Sequence, residues 1–390
     1  MANPFDGHEM PSPDVPVAVL ARELEARYGL VGALRPLGSH QDQNLLFRAD
    51  DGRRLLVKVA NAAYPAEELA AQDAAMLHVA AKGLPFATPV PVAAADGAPT
   101  FAVEDASGRC IARVLSWVEG TPLHEAGYLS PPVRVAFGEV AGSLATALAD
   151  LEHPGADRVI QWDCRQAHHV VEALGGALPA HPRRDRARVV AAAAHARLGE
   201  LVPSLRNQVI HGDLTTYNMV ARRDAAGRLV PVGVIDFGDL VSSYLAGELA
   251  VALTGLVVHV PEAALEVACD IASGFHATCP LGDAELAALW PLVRLRATAS
   301  AVSGDHQLAT DPSNAYVRDS VELEWDAFAA IDAIPDGLAE EAIRAALGLG
   351  PSLAARAAAL SVHEERPVPV SYTHLRAHET VLDLVCRLLL

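Results

Sequence analysis

The sequence predicts a two-lobed α+β fold, with a β-rich N-terminal lobe and a mostly helical C-terminal lobe. Three observations carry this expectation. After one opening helical segment, the first third of the chain holds five strand-like runs and a single inserted helix. From Ser130 onward the chain is Ala-rich, with apolar residues at helical spacing. That pattern breaks at residues 207–237, where an Asp and an Asn lie five residues apart between two short apolar runs and a further Val-Ile run ends in Asp.

Each element has a local reason. Residues 1–14 are rich in proline and lack both the basic start and the apolar stretch of an export signal, so they read as a disordered leader. Residues 16–28 have helical spacing. "ALRPL", "NLLFRA" and "RLLVKVA" follow as strands, the last two joined by the hairpin signal Asp50-Asp51-Gly52. "PAEELAAQDAAMLHVAAKG" is helical, with proline and acids in its first turn and Lys82-Gly83 at its end. "TFAVE" and "CIARVLSW" are two further strands around the turn Asp105-Ala106-Ser107-Gly108.

These elements form an N-lobe of residues 15–118, joined through a connector near Trp117 and Pro122 to a C-lobe of residues 119–335. In the C-lobe, helical stretches at 130–201 and 244–360 flank the runs "NQVIH", "NMVAR" and "RLVPVGVIDF". Those three read as short strands separated by a loop and by the turn "RDAAG". Residues 336–369 read as a helical or linker extension.

Composition bounds the function. A chain of 390 residues that is 51% hydrophobic has ample apolar surface for a globular core. Its net charge of −18 argues against nucleic-acid partners and fits solubility, or a cationic or metal-neutralised ligand. The longest apolar run, "LAVALTGLVV", is half of a bilayer crossing and is followed by His259 and Pro261, so it reads as a buried helix. Five cysteines without a CxxC pair suggest neither zinc nor a disulfide framework, and a cytoplasmic, reduced setting is expected.

The final segment, residues 370–390, stands apart. "VSYTHLRAHETVLDLVCRLLL" shares neither the Ala-rich nor the acidic bias before it, and its reverse translation is compatible with a transposase-type sequencing adapter read in frame. We read it as an artefactual tail and exclude its His and Cys from functional argument.

The chemistry concentrates in "VIHGDLTTYNMV" and "VIDFGD". Phosphoryl transfer needs a group that orients a hydroxyl, hard oxygen ligands for Mg²⁺, and a cation on the phosphates. Asp213 would take the first role, Asn218 and Asp236 the second, and Lys58 of "LLVKVA" the third. The loop "GSHQDQN", with Ser39, His40 and Gln41, would cover the phosphates with backbone N–H groups. His211 is expected to brace the loop by hydrogen bonds, since Asp213 already fills the role of base. Asp239 would either assist the metal or cap the next helix. Arg294 and Arg296 are candidates for holding a substrate carboxylate, beside the ordinary reading of each as an ion-paired arginine. His168, His169 and His195 read as lying on solvated helix faces.

On these residues the chain resembles the aminoglycoside phosphotransferase family, a branch of the protein-kinase-like fold that phosphorylates small molecules. "RPLGSHQDQNLLFR", "VKVAN", "ARVLSWVEGTPL" and "VIDFGDLVSSYLAGELAVAL" most resemble its hydroxylysine kinase and amino-alcohol kinase members. The similarity runs from about Leu34 to about Ile331. It implies Asp213 as catalytic residue, Asn218 and Asp236 as Mg²⁺ ligands, Lys58 on the nucleotide phosphates, and the backbone of Ser116, Trp117 and Val118 on the purine of ATP or GTP. It also implies that an acidic residue on the inserted helix pairs with Lys58. Gln72 occupies the expected position and Glu68 lies one turn earlier, so either Glu68 substitutes or Gln72 holds the lysine by a neutral hydrogen bond. The implied activity is transfer of a γ-phosphoryl group to the hydroxyl of an amino acid or amino alcohol, hydroxylysine leading. Aminoglycoside phosphorylation, or a nucleotide-binding module without transfer, are the alternatives. Some bacterial relatives carry such a domain ahead of a class III aminotransferase, so a downstream fusion partner in the natural gene is also implied.

Overall fold

A computed structural model describes residues 12–38, 41–106, 108–312 and 315–356. Ser39, His40 and the adapter-like tail lie outside the described residues.

In the N-lobe, α1 (Val17–Tyr28) ends on Gly29, which adopts φ 63° and returns its N–H to Glu25 and Leu24 carbonyls. Strands β1 (Gly32–Leu37), β2 (Gln43–Ala49) and β3 (Arg54–Ala60) form the expected meander. Helix α2 (Ala66–Ala81) is inserted before β4 (Thr100–Asp105) and β5 (Gly108–Ser116). The sheet order is β1-β2-β3-β5-β4, antiparallel throughout. Strand alternation divides its two faces. Val57, Val59, Ala112 and Val114 bury one face against Leu20 and Leu24 of α1. Lys58 and Arg113, directly opposed across β3 and β5, project from the other face, on the side of α2.

The C-lobe begins with β6 (Thr121–Pro122) and helices α3 (Pro131–Leu148), α4 (Ala167–Ala177) and α5 (Pro182–Gly199). Strands β7 (Asn207–Ile210), β8 (Met219–Arg223), β9 (Leu229–Val234) and β10 (Val241–Tyr244) then form two small sheets, β10-β7 and β6-β8-β9. Helices α6 (Leu245–Val257), α7 (Ala264–Thr278), α8 (Asp283–Thr310), α9 (Ala315–Asp332) and α10 (Asp336–Ala346) complete it. Helix α6 is the apolar run singled out from sequence, and nearly every residue of it is buried. No described helix is long and apolar enough to cross a membrane.

One sequence expectation changes. The second helical stretch, expected from residue 244, is preceded by strand β10, whose pairing with β7 is a long-range contact invisible to local periodicity. Of the helical or linker extension read at 336–369, residues 336–346 form α10, whose Ala339 and Ile343 join the same hydrophobic core as α7 and α8.

Candidate active site

Strand β7 delivers His211 to the lobe interface, and Gly212 turns the chain with φ 79°. A Cβ at Gly212 would collide with the Asp239 carbonyl, so both the angle and the space call for glycine. Glu248 of α6 accepts from the His211 N–H at 2.7 Å and the Gly212 N–H at 3.2 Å, pinning the turn from below. Burial pushes the Glu248 carboxyl up to about 7 and the His211 ring down to about 4. The ring is therefore neutral at pH 7. With Nε2 donating to the Ile235 carbonyl at 3.1 Å, Nδ1 is left to accept from the Asp213 N–H at 3.3 Å. His211 thus holds the loop in place.

Asp213 and Asn218 close on each other. The Asn218 amide Nδ2 donates to the Asp213 carbonyl at 2.8 Å and to its carboxylate at 2.7 Å. Asp213 is raised well above the ordinary carboxylate range by burial and by the nearby Asp239, with Arg296 opposing. Arg296 of α8 reaches within 3.7 Å of its Oδ1.

Asp236 follows β9 in a left-handed conformation, φ 61° and ψ 79°, the one non-glycine residue with positive φ among the described residues. Such strain gathers where a side chain must be aimed. Its Oδ1 lies 2.8 Å from Lys58 Nζ, and Lys58 holds its carboxyl down at about 2. Asp42, in the loop before β2, is the lysine's second partner at 3.0 Å. Burial works against the Lys58 charge, but Asp236 and Asp42 prevail and raise its pKa.

Several expected roles are corrected by this geometry. Neither Glu68 nor Gln72 holds Lys58. Glu68 pairs with Arg158 at 2.6 Å, while Gln72 accepts from Arg113 at 2.7 Å and donates to the Gly238 carbonyl at 3.3 Å. Arg113, drawn to α2 through Asp73 at 2.8 Å, takes the side chain that was expected to face the lysine. Asp239 caps no helix, because strand β10 follows it and α6 begins only at Leu245. Arg294 is committed to Asp332, Asp336 and the Ile334 carbonyl, away from the site. Arg296 alone of that pair reaches Asp213. In the connector, the Ser116 N–H is donated to the Val90 carbonyl and so is closed to a base edge. Val118 is buried, and Trp117 lies under the Arg54 guanidinium at 5.9 Å. Gln41 is held by the Tyr64 hydroxyl. His168 stacks on His195 at 4.7 Å, with His169 alongside.

Asp42, Arg113, Arg158 and Glu248 were not singled out from sequence. Glu248 had a weak signal, as the lone acid in an otherwise apolar helix; the other three look like ordinary charged residues.

The donor chemistry fits a hard divalent cation. The Asn218 amide nitrogen is spent on Asp213, which leaves its carbonyl oxygen as a neutral ligand, and Asp236 is ionised. Among the described residues, no three His, Cys, Asp or Glu side chains are grouped to hold a metal alone. A cation that keeps waters and takes phosphate oxygens needs no such cage.

Comparison with known proteins places the chain among relatives. The phosphotransferase enzyme family matches residues 33–281. Hydroxylysine kinase of Danio rerio is 26% identical over 302 residues, 74% of this chain and 82% of that protein. An amicoumacin kinase solved in complex with AMP-PNP, Ca2+ and Ami superposes with a TM-score of 0.62 at 15% identity, over 83% of this chain and 95% of that one. A microcompartment-associated aminopropanol kinase superposes with a TM-score of 0.58 at 18% identity, over 85% and 98%. The shared fold is the two-lobed kinase-like one that the sequence predicts.

Proposed function

The chain belongs to the phosphotransferase enzyme family, and from that premise we propose that it transfers the γ-phosphoryl group of ATP or GTP to the hydroxyl of an amino acid or amino alcohol. One observation carries the reading. Asp213, Asn218, Asp236 and Lys58, from two lobes and three separate chain segments, converge with hydrogen bonds of 2.7–2.8 Å within each pair.

Each residue then has a task. Asp213 orients the acceptor hydroxyl and takes its proton as the oxygen bonds to phosphorus and the nucleoside diphosphate leaves. Its carboxyl, raised by burial, is a stronger proton acceptor than a solvated aspartate, and Asn218 holds it in one rotamer. Lys58 would neutralise the transferring phosphates once nucleotide loosens its contact with Asp42. Asn218 and Asp236 would hold Mg²⁺, which would supply charge neutralisation for the transferring phosphates. No covalent enzyme intermediate enters the scheme.

The Danio rerio relative supports hydroxylysine as the first acceptor to try. Asp213→Ala should abolish turnover while leaving nucleotide binding largely intact. A screen of hydroxylated amino acids, amino alcohols and aminoglycosides against ATP and GTP, read as nucleoside diphosphate released, tests donor and acceptor together. Full turnover by the Asp213→Ala protein would reject the assignment.

A further inference from the structure

Asp213 is approached from two sides. Asn218 Nδ2 donates to its Oδ2 at 2.7 Å, while Arg296 Nη2, coming from α8, stops 3.7 Å from its Oδ1. That gap is beyond hydrogen-bond length, so the lone pairs of Oδ1 stay open to a hydroxyl. An arginine free to move would close to about 2.8 Å and take that oxygen for itself.

Trp162 holds it back. The Trp162 carbonyl accepts from Arg296 Nη1 at 3.0 Å, and the guanidinium carbon lies over the Trp162 ring, 5.0 Å from its centre. The residues on either side brace Trp162 in turn. Gln161 Nε2 donates to Ser303 Oγ of α8 at 2.8 Å, and Asp163 Oδ1 accepts from Ser243 Oγ of β10 at 2.6 Å. Asp163, Ser243 and Ser303 are all buried. The segment ahead of α4 is therefore a bracket pinned to α8 and β10, and the guanidinium is fixed to it by an edge and a face.

Little of Arg296 is left for an acceptor molecule. The residue is 7% exposed, one face lies on the indole and each outer nitrogen already faces an oxygen. A carboxylate gripped by arginine takes two N–H groups side by side. We propose that Arg296 is a positioning residue for the proton acceptor and not a ligand of the acceptor molecule: it fixes the Oδ1 side of the Asp213 carboxylate, opposite Asn218, without covering it. The inference rests on the kinase reading above and adds a residue to it. In that reaction the hydroxyl proton passes to Oδ1 as the hydroxyl oxygen bonds to the γ-phosphorus and the bond from that phosphorus to the nucleoside diphosphate breaks. A misplacement of about 1 Å costs on the order of a hundredfold in such a step.

The test uses the full chain with ATP and 5-hydroxy-L-lysine, or the best acceptor from the screen above. It reads kcat, the acceptor KM and, by titration calorimetry, the affinity for AMP-PNP with Mg²⁺. Arg296→Ala should lower kcat about a hundredfold and leave the acceptor KM and the AMP-PNP affinity within about threefold. The truncation also opens a guanidinium-sized space against the Trp162 ring. Added guanidinium chloride, below concentrations that unfold the protein, should restore kcat about tenfold. Urea with matched sodium chloride, which has the same shape without the charge, should not. Arg296→Lys keeps a charge but cannot reach the Trp162 carbonyl and Asp213 together, so its kcat should stay about tenfold or more below the parent. That variant carries the test alone if Arg296→Ala does not fold.

A raised acceptor KM with kcat intact makes Arg296 a ligand of the acceptor and overturns the proposal. Parental kcat in either variant does the same, as does a recovery that is absent or equal with urea. If the unaltered protein turns over none of the screened acceptors, the kinase reading fails first and this inference with it.

Discussion

Glu68 and Arg158, 90 residues apart in sequence, close an ion pair at 2.6 Å that ties helix α2 to the C-lobe. The same guanidinium donates to the Leu240 carbonyl at 2.9 Å and the Gly238 carbonyl at 2.5 Å, directly after Asp236. One buried side chain therefore sets the distance between the nucleotide lobe and the Asp236 loop. Arg158→Ala strips its partner from Glu68 and from the Leu240 carbonyl and leaves the Gly238 carbonyl with Gln72 alone. Breaking such a pair costs about 3 kcal/mol, so the unfolding midpoint in urea should fall clearly. Arg158→Lys keeps the charge but cannot reach three acceptors in one plane. It should recover most of the stability while kcat stays at least about tenfold down, since geometry within the site is the part not restored.

Lys58 separates two carboxylates that would otherwise repel each other across the cleft. Lys58→Met should weaken nucleotide binding about tenfold or more, the scale of a lost charge-assisted contact to phosphate. Titration calorimetry with a non-hydrolysable ATP analogue measures this directly. An unchanged affinity would remove Lys58 from the phosphate site.

Glu248 gives stability a pH dependence whose sign follows from its raised carboxyl. The folded protein holds this proton up to about pH 7, whereas an unfolded chain releases it near the ordinary glutamate value of about 4.3. Between those limits the folded state binds more protons, so this group's contribution to stability falls as pH rises. Glu248→Gln retains an acceptor for the His211 and Gly212 N–H groups but cannot ionise. Relative to the parent, the variant should gain on the order of 3 kcal/mol between pH 5 and pH 8, measured by urea unfolding at each pH. A constant difference across that range would show that Glu248 does not titrate there.

Helices α3 and α7 meet through reciprocal glycines. A Cβ at Gly138 would strike the Ile271 carbonyl, and one at Gly274 would strike the Val135 carbonyl. Gly274→Ala should destabilise the fold by more than about 2 kcal/mol, because overpacking against backbone outweighs the gain in helix propensity. At Gly176, near the end of α4, a methyl group would meet nothing within 4 Å. The same substitution there should stabilise by up to about 1 kcal/mol. Thermal melts of the two variants should therefore move in opposite directions.

Much of this protein follows from local pattern. Strand β3 runs from Arg54 to Ala60, as alternation predicts, and α2 begins just after Pro65, where proline and acids predict a first turn. His211 and Asp236 stand out in the sequence because each ends a Val-Ile run, and Asp213 and Asn218 because they lie in the loop between two apolar runs, where residue type and spacing constrain what the loop can do. The pairing of the charges was not legible. Lys58 meets Asp42 and Asp236, Glu68 meets Arg158, and Gln72 meets Arg113, all because strand register and the closure of α2 on the C-lobe decide which partners come within 3 Å. Arg294 and Arg296 are two residues apart in sequence, yet their helix directions send one to Asp332 and the other to Asp213. The sequence by itself determined the two lobes, their elements and the types of group available for phosphoryl transfer, since periodicity and chain chemistry are local. Only the tertiary structure decided which charge neutralises which, because those contacts join residues far apart in the chain and depend on how helices and strands are turned.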